Sequence, residues 1–358
     1  MNLKDKVLFL GLGNYGCKQA KIFAEKGYEA IFANGSEQDL KILGNMPNIY
    51  RLKNFDGFGG HRERALDCLV ENEEFMSAIQ NINKKIIFIP YGGGGSTGSG
   101  CSTVCSEILL EATDENGSTE KIVCPIPALP SSNEAIAKHR NAYQAIQELQ
   151  ELEGLGATFF INNNVNGDYD YINTTFAKML DNFLTNDSYG QINNFDESER
   201  IEMLHEPGAM VFSLFGKQDQ GMMLDKLTRN GIFAPIQSDK ICGNIGIIHA
   251  GQDNSDIKVD SIISEVGKPL NVFEGYNGRS TMIAASGLNY PINHLTKIGE
   301  LAQRAAEERQ RSRKTSVQKL GDLNLIEEES QRNTTQVQKK PSKLEMLRKK
   351  QSMIGNAR

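Results

Sequence analysis

The 358-residue sequence predicts an α/β fold. A Rossmann-type parallel sheet with helices on both faces is joined by a long central helix to a smaller α/β domain. Three observations predict it. Strand-like apolar runs alternate with helix-like segments through the first half of the chain, the pattern of a parallel sheet with crossover helices. Three glycine-bearing turns, at residues 11–16, 57–60 and 92–100, each follow a strand-like run. They therefore gather at the carboxyl edge of the sheet, where such folds bind ligands. The length is enough for two cores.

The elements follow in order. Residues 7–10 read as a strand, 17–26 as a helix and 29–33 as a strand; 62–81 are helical, 85–89 a strand and 101–112 a helix. Residues 121–126 read as a strand, 132–152 as a long helix and 158–161 as another strand. A central helix spans about 171–185. Beyond it the apolar runs 209–215 and 245–250, and residues 279–285, read as strands, with a helix over 219–230. After Pro291 the pattern becomes helical and very polar, and from about Ser312 the polarity predicts disorder or a nascent helix. The domain boundaries this predicts are 1–170, 171–201 for the central helix and the loop after it, 202–290, 291–315 for a polar helix, and 316–358 for a flexible basic tail.

The sharpest chemical signal is Tyr91-Gly92-Gly93-Gly94-Gly95-Ser96-Thr97-Gly98-Ser99-Gly100, set between the apolar run 86–90 and a helix-like segment. Glycines admit φ > 0, so several backbone N–H groups can converge on one concavity. The N–H groups and dipole of the following helix start favour a phosphate. Ser96, Thr97 and Ser99 add hydroxyls. No Gly-Lys-[Ser/Thr] follows, so this is not a Walker A loop. A plain glycine linker would not be flanked by an apolar strand and an apolar helix. Gly11-Leu12-Gly13-Asn14-Tyr15-Gly16 also matches the dinucleotide fingerprint G-x-G-x-x-G. A nicotinamide site wants an acid at the end of the second strand, but Phe32-Ala33-Asn34-Gly35-Ser36 ends without one and the first acid is Glu37. That reading also leaves residues 92–100 without a role.

The loop at 92–100 closely resembles the GGGTG[ST]G signature of the tubulin/FtsZ superfamily, which cradles the phosphates of GTP. The resemblance covers roughly residues 3–290 and implies that fold, with a GTP-binding domain and a smaller activation domain. It implies nucleotide contacts from Gly11, Gly13, Asn14 and Tyr15 in the first loop and from Gly93, Gly94, Gly95, Ser96, Thr97 and Gly98. Asn34-Gly35-Ser36 keeps only the Asn of the family's Asn-Thr-Asp. Gly57-Phe58-Gly59-Gly60-His61-Arg62 falls where the family closes a loop over the γ-phosphate, which points to Gly59, Gly60 and His61. Glu134 matches the ribose-binding Glu; Lys138 stands where the family has Arg, with Arg140 as the alternative. Asn163 matches the base-contacting Asn or caps a turn. Asn173 matches the Asn that reads guanine, whose N1 and N2 donors require an acceptor.

A second motif, Asn194-Phe195-Asp196-Glu197-Ser198-Glu199, is similar to the N-x-D-x-x-D of FtsZ proteins, and Met203 to Met210 follow the family's next segment closely. In the family this loop reaches the GTP of the next subunit. The resemblance thus implies that Asn194, Asp196 and Glu199 are catalytic only in a head-to-tail filament, where the carboxylates polarise an attacking water and help hold a cation. The competing reading is that both acids cap the helix after them. GTP/GDP and Mg2+ are the implied cofactors, with no dedicated metal cage of protein side chains.

Composition is that of a soluble globular protein: 39% hydrophobic and 23% charged residues. No apolar run reaches the ~20 residues of a membrane span, and the N-terminus lacks a signal-peptide pattern. The six cysteines read as reduced core thiols, and the expected location is cytoplasmic. The net charge of −6 divides between a tail of +6 from Lys339 onward and a body of −12. Beyond Pro291 the chain resembles the plasmid and phage DNA-segregation branch of the family, the TubZ proteins. That implies a filament that moves plasmid or phage DNA, with the tail recruiting a DNA-bound adaptor and so meeting centromere DNA indirectly. Direct DNA contact, docking on a neighbouring subunit and a solvated tail remain open, and residues 344–351 faintly resemble the peptide by which FtsZ meets membrane partners. The alternative function is an FtsZ-like division or structural scaffold with slow or no turnover.

Overall fold

The computed structural model describes residues 3–55, 59–111, 121–186, 195–215, 220–250, 257–318 and 347–348. Its strands are β1 (Val7–Leu12), β2 (Glu29–Asn34), β3 (Ile49–Arg51), β4 (Ile86–Gly92), β5 (Ile122–Leu129), β6 (Ala157–Thr158), β7 (Ile161–Asn162), β8 (Gly208–Phe215), β9 (Asn244–Ala250), β10 (Asn271–Gly278) and β11 (Thr281–Leu288). Its α-helices are α1 (Gly13–Glu25), α2 (Glu37–Leu40), α3 (Ala65–Glu71), α4 (Glu73–Gln80), α5 (Ser96–Leu110), α6 (Ile136–Gln150), α7 (Tyr169–Thr185), α8 (Glu197–His205), α9 (Gln220–Thr228), α10 (Val259–Val266) and α11 (Ile292–Gln318).

Six strands form one sheet in the order β3-β2-β1-β4-β5-β7, every pair parallel. Strands β1 and β5 are buried throughout, as their unbroken apolar runs require of a sheet covered on both faces. The register Leu12↔Tyr91 and Gly92↔Ala128 brings the carboxyl ends of β1, β4 and β5 level, so the turns leaving them share one edge. Five strands form a second, mixed sheet, β10-β9-β11-β8-β6.

The two sheets are sewn together by residues 157–162. The sequence reads 158–161 as one strand. The chain instead pairs β6 with β8 in the second sheet and β7 with β5 in the first. Phe159 lies between them, fully buried, with Phe176 of α7 at 5.8 Å and Phe212 of β8 at 5.4 Å. Phe233 closes this aromatic cluster at 6.1 Å from Phe176.

Two further departures have local causes. The helix read over 62–81 is broken at Asn72, whose backbone sits at φ −115°, ψ 62°. Its side chain donates to the Cys68 carbonyl at 2.7 Å and accepts from the Lys53 N–H at 2.7 Å, offering the backbone an alternative to the helix ladder. The polar helix α11 runs to Gln318, past the expected loss of order near Ser312. All six cysteines are buried. Among the described residues no helix is long and apolar enough to cross a membrane.

Candidate nucleotide cleft

A cleft of about 430 Å3 opens at the carboxyl edge of the parallel sheet. Its floor is made by two strand-to-helix turns. Leu12 ends β1, Gly13 takes φ +72°, and α1 starts at once. Gly92 ends β4, and α5 starts at Ser96. The residues preceding these helices, Leu12 and Gly95, supply no side-chain cap. Two helix N-termini thus present first-turn N–H groups to the same cleft, an arrangement that suits an anion.

The glycines are required by close approach. A Cβ on Gly98 would meet the Leu12 carbonyl oxygen at 2.6 Å, and one on Gly94 would meet Lys138 Cβ at 2.7 Å. The loop is pressed between β1 on one side and α6 on the other, and a side chain at either position would force them apart.

Hydrogen-bonding groups line the rest of the cleft. Asn173 of α7 is 4% exposed. Its carbonyl is held by Gln19 Nε2 at 3.2 Å, while its side-chain Oδ1 is buried without a partner. The Tyr15 hydroxyl is likewise buried without a partner, and burial pushes its pKa well up. Asn34 donates to Asp39 Oδ2 at 3.1 Å. Glu134 accepts from the Lys138 ammonium at 2.6 Å, the Ser131 N–H at 3.0 Å and the Tyr169 hydroxyl at 3.2 Å. Burial alone would raise the Glu134 pKa; these three donors together outweigh it and hold the carboxyl below its ordinary range. The result is an acceptor-rich rim around an N–H-rich floor.

The cleft brings together Gly13, Asn14, Tyr15, Asn34, Gly59, Gly94, Gly95, Ser96, Thr97, Gly98, Glu134, Lys138, Asn163 and Asn173. Three expected residues do not line it. Gly11 lies beneath the floor, where a Cβ would meet the Gly16 carbonyl oxygen at 2.6 Å; it lets α1 pack on β1. Gly93 donates its N–H to Ala128 at 2.9 Å, prolonging the β4–β5 ladder. Gly60 turns its carbonyl toward Asn141 of α6. Of the two basic candidates on α6, Lys138 lines the cleft and Arg140 does not. His61 is exposed and pairs with Glu63 at 2.9 Å. The sequence reading missed Lys18, Asp39, Tyr169 and Asp170, all of which line the cleft. Lys18 was within reach of helical spacing, one turn after Asn14. Tyr169 and Asp170 stand one turn before Asn173 on α7 and were within reach of the same spacing, whereas Asp39 is placed by tertiary packing.

Asp196 and Glu199 lie elsewhere. Together they form a capping box on α8: Asp196 Oδ1 accepts the Ser198 and Glu199 N–H groups at 2.8 and 3.4 Å, and Glu199 Oε2 accepts the Asp196 N–H at 2.6 Å. The capping alternative therefore describes their local bonding. Burial, with the charge of Asp196 adding and its N–H opposing, pushes the Glu199 carboxyl up. The intervening Glu197 pairs with Lys6, the residue just before β1. Leu12, at the far end of β1, lines the cleft. β1, six residues at about 3.3 Å each, thus runs about 20 Å between the Lys6–Glu197 pair before its start and the cleft at its end, which puts the start of α8 toward the opposite edge of the sheet. Asn194, and all of the tail from Lys339 onward except Leu347 and Arg348, lie outside the described residues. Leu347 is buried and Arg348 pairs with Glu111 of its own chain. A larger cavity, about 670 Å3, lies between the end of α6 and β11 and contains none of the glycine turns.

No protein-family model matches the chain. It is 24% identical over 319 residues to the tubulin-like protein TubZ of Clostridium botulinum C phage, covering 86% of each chain. The crystal structure of Clostridium botulinum phage c-st TubZ superposes with a TM-score of 0.72 at 22% identity, over 85% of this chain and 99% of that one. A GTPγS-form protofilament of Bacillus thuringiensis serovar israelensis TubZ superposes at 0.70 and 16% identity, over 88% and 94%. The fold is tubulin/FtsZ-like, and the chain's relatives in sequence and in structure are tubulin-like proteins, TubZ and CetZ.

Proposed function

We propose that the chain is a GTP-hydrolysing, filament-forming protein whose active site is completed between subunits. The observation that carries this reading is the separation just described: a nucleotide-shaped cleft at one edge of the sheet, and the acidic pair Asp196 and Glu199 at the other. A head-to-tail contact would set the acids of one subunit over the cleft of the next, and heterologous contacts of that kind build open filaments. The N–H groups of the α1 and α5 starts would hold the phosphates. Glu134 and Asp39 would accept from ribose hydroxyls, and Asn173 Oδ1 from the guanine edge.

The acids of the next subunit would orient a water against the γ-phosphorus; its O–P bond forms as the bond to the departing GDP oxygen breaks. Glu199, with its raised pKa, is the better acceptor for the water's proton. Mg2+ would neutralise phosphate charge. Among the described residues no group of three or more metal-ligating side chains is gathered, so phosphate oxygens would supply much of its coordination.

The TubZ relatives support a role in moving plasmid or phage DNA, with the basic tail from Lys339 recruiting a DNA-bound adaptor. One observation favours a second reading, a cytoskeletal scaffold with slow or no turnover: both acids already serve as helix caps. Phosphate release separates the two. The first reading predicts GTP hydrolysis that appears above a threshold protein concentration, and that Asp196→Ala or Glu199→Ala abolishes while GTP still binds. Specific activity that is flat with concentration would reject the shared site.

A further inference from the structure

The turn at Gly59 and Gly60 borders the cleft yet has little to hold it. Both residues take left-handed backbone angles, φ +58° and +82°. A Cβ on Gly60 would meet nothing within 4 Å, and one on Gly59 only His61 Cδ2 at 3.9 Å. Among the described residues, little stands where a side chain on either glycine would reach.

A side chain of α6 holds its tip. Asn141, on α6 and 1% exposed, donates from Nδ2 to the Gly60 carbonyl at 3.0 Å and reaches the Gly94 carbonyl at 3.4 Å. One amide nitrogen thus ties the Gly59–Gly60 turn to the phosphate-binding glycine loop. The opposite amide orientation would put Oδ1 against two carbonyl oxygens, so the donor assignment is fixed by its surroundings. Asn141 stands one helical turn after Lys138, which lines the cleft, and Glu148 two turns further along the same face. Glu148 holds the buried Arg62, which in turn donates to the Ser99 carbonyl at 2.9 Å and anchors the downstream end of the turn. The turn is pinned at its tip by Asn141 and at its exit by Arg62, both through α6.

We propose that Asn141 is a positioning residue that sets the Gly59–Gly60 turn against the terminal phosphate of a bound nucleoside triphosphate. Through it the cleft distinguishes triphosphate from diphosphate. The proposal rests on the nucleotide reading of the cleft. The Gly94 carbonyl belongs to the phosphate loop, so a turn sharing its donor stands at the phosphate end. Without the amide, binding a terminal phosphate must also order the turn, a cost that falls on the triphosphate alone.

The test is nucleotide titration of the full-length chain with GTPγS and with GDP, for wild type, Asn141→Ala and Asn141→Asp. GTPγS affinity is expected to fall about tenfold in both variants, the loss of one buried hydrogen bond, while GDP affinity changes less than about twofold. Equal losses for both nucleotides, or no loss for either, overturn the proposal. Wild type that binds neither nucleotide overturns the nucleotide reading itself, and this proposal with it. Hydrogen exchange on wild type gives an arm independent of any variant's folding. GTPγS is expected to protect the segment 59–64 and GDP to leave it exchanging; equal protection by the two would overturn the assignment.

Discussion

At the scale of single residues, the cleft is best understood through the groups it leaves unsatisfied. Buried polar atoms nearly always find partners, and under the proposed function the unpartnered Oδ1 of Asn173 would accept its bond from the bound nucleotide. Replacing Asn173 by Leu should weaken GTP binding by roughly 10- to 100-fold, the cost of leaving a guanine donor unpaired, and erase most discrimination against ATP. Competition binding with the two nucleotides checks it. The acids predict a pH dependence with a definite sign. Glu199 is pushed up chiefly by burial, so it loses its charge early as the pH falls. Glu134 is held low by Lys138, Ser131 and Tyr169 against its burial, so it keeps its charge longer. On acidification turnover should therefore fail before nucleotide binding does. Its acid limb should lie above the ordinary Glu pKa of about 4.3, and parallel profiles of phosphate release and GTPγS binding read the order directly. Sequence alone led to Asn173 and Glu134 through family resemblance. It could not show that the Tyr169 hydroxyl reaches Glu134 across 35 residues of chain.

At the scale of elements, β1, β2, β4 and β5 of the first sheet were legible as apolar runs, whereas the short, partly exposed edge strand β3 was not read. The β4 run Ile86-Ile87-Phe88-Ile89 can only be a doubly covered strand. The second sheet was harder. The segment NVFEGYNG, with two glycines and an exposed polar pattern, carries no strand signal, yet it is the edge strand β10, held by parallel pairing with β9. The broken helix at Asn72 was illegible for a related reason: its amide is recruited by Lys53, a partner that only the fold brings near. Gly16 shows what the first helix demands of its sequence. A Cβ there would meet the Pro90 carbonyl oxygen at 2.1 Å, so α1 can lie on the sheet only because this residue is glycine. Gly16→Ala should destabilise the fold by about 1–3 kcal/mol or more in denaturant unfolding. Gly167→Ala, whose Cβ would meet nothing within 4 Å, should stay within about 0.5 kcal/mol.

At the scale of the whole molecule, the aromatic cluster of Phe159, Phe176, Phe212 and Phe233 joins the two sheets. The cleft and the acids of α8 are thereby held at fixed, opposite edges of the parallel sheet. Under the proposed function, the two edges would be the two halves of one hydrolytic site, which a lone subunit could not bring together. The most direct test is complementation. Gly98→Val should displace the phosphate loop from β1, where its Cβ would meet the Leu12 carbonyl, and leave the acids intact; Glu199→Ala should do the reverse. Each variant alone should hydrolyse GTP at background rate, and mixing them should restore turnover, because an intact cleft then meets an intact acid pair across an interface. A mixture that stays as inactive as its components, with both variants folded and the Glu199→Ala chain binding GTP, would contradict the shared site.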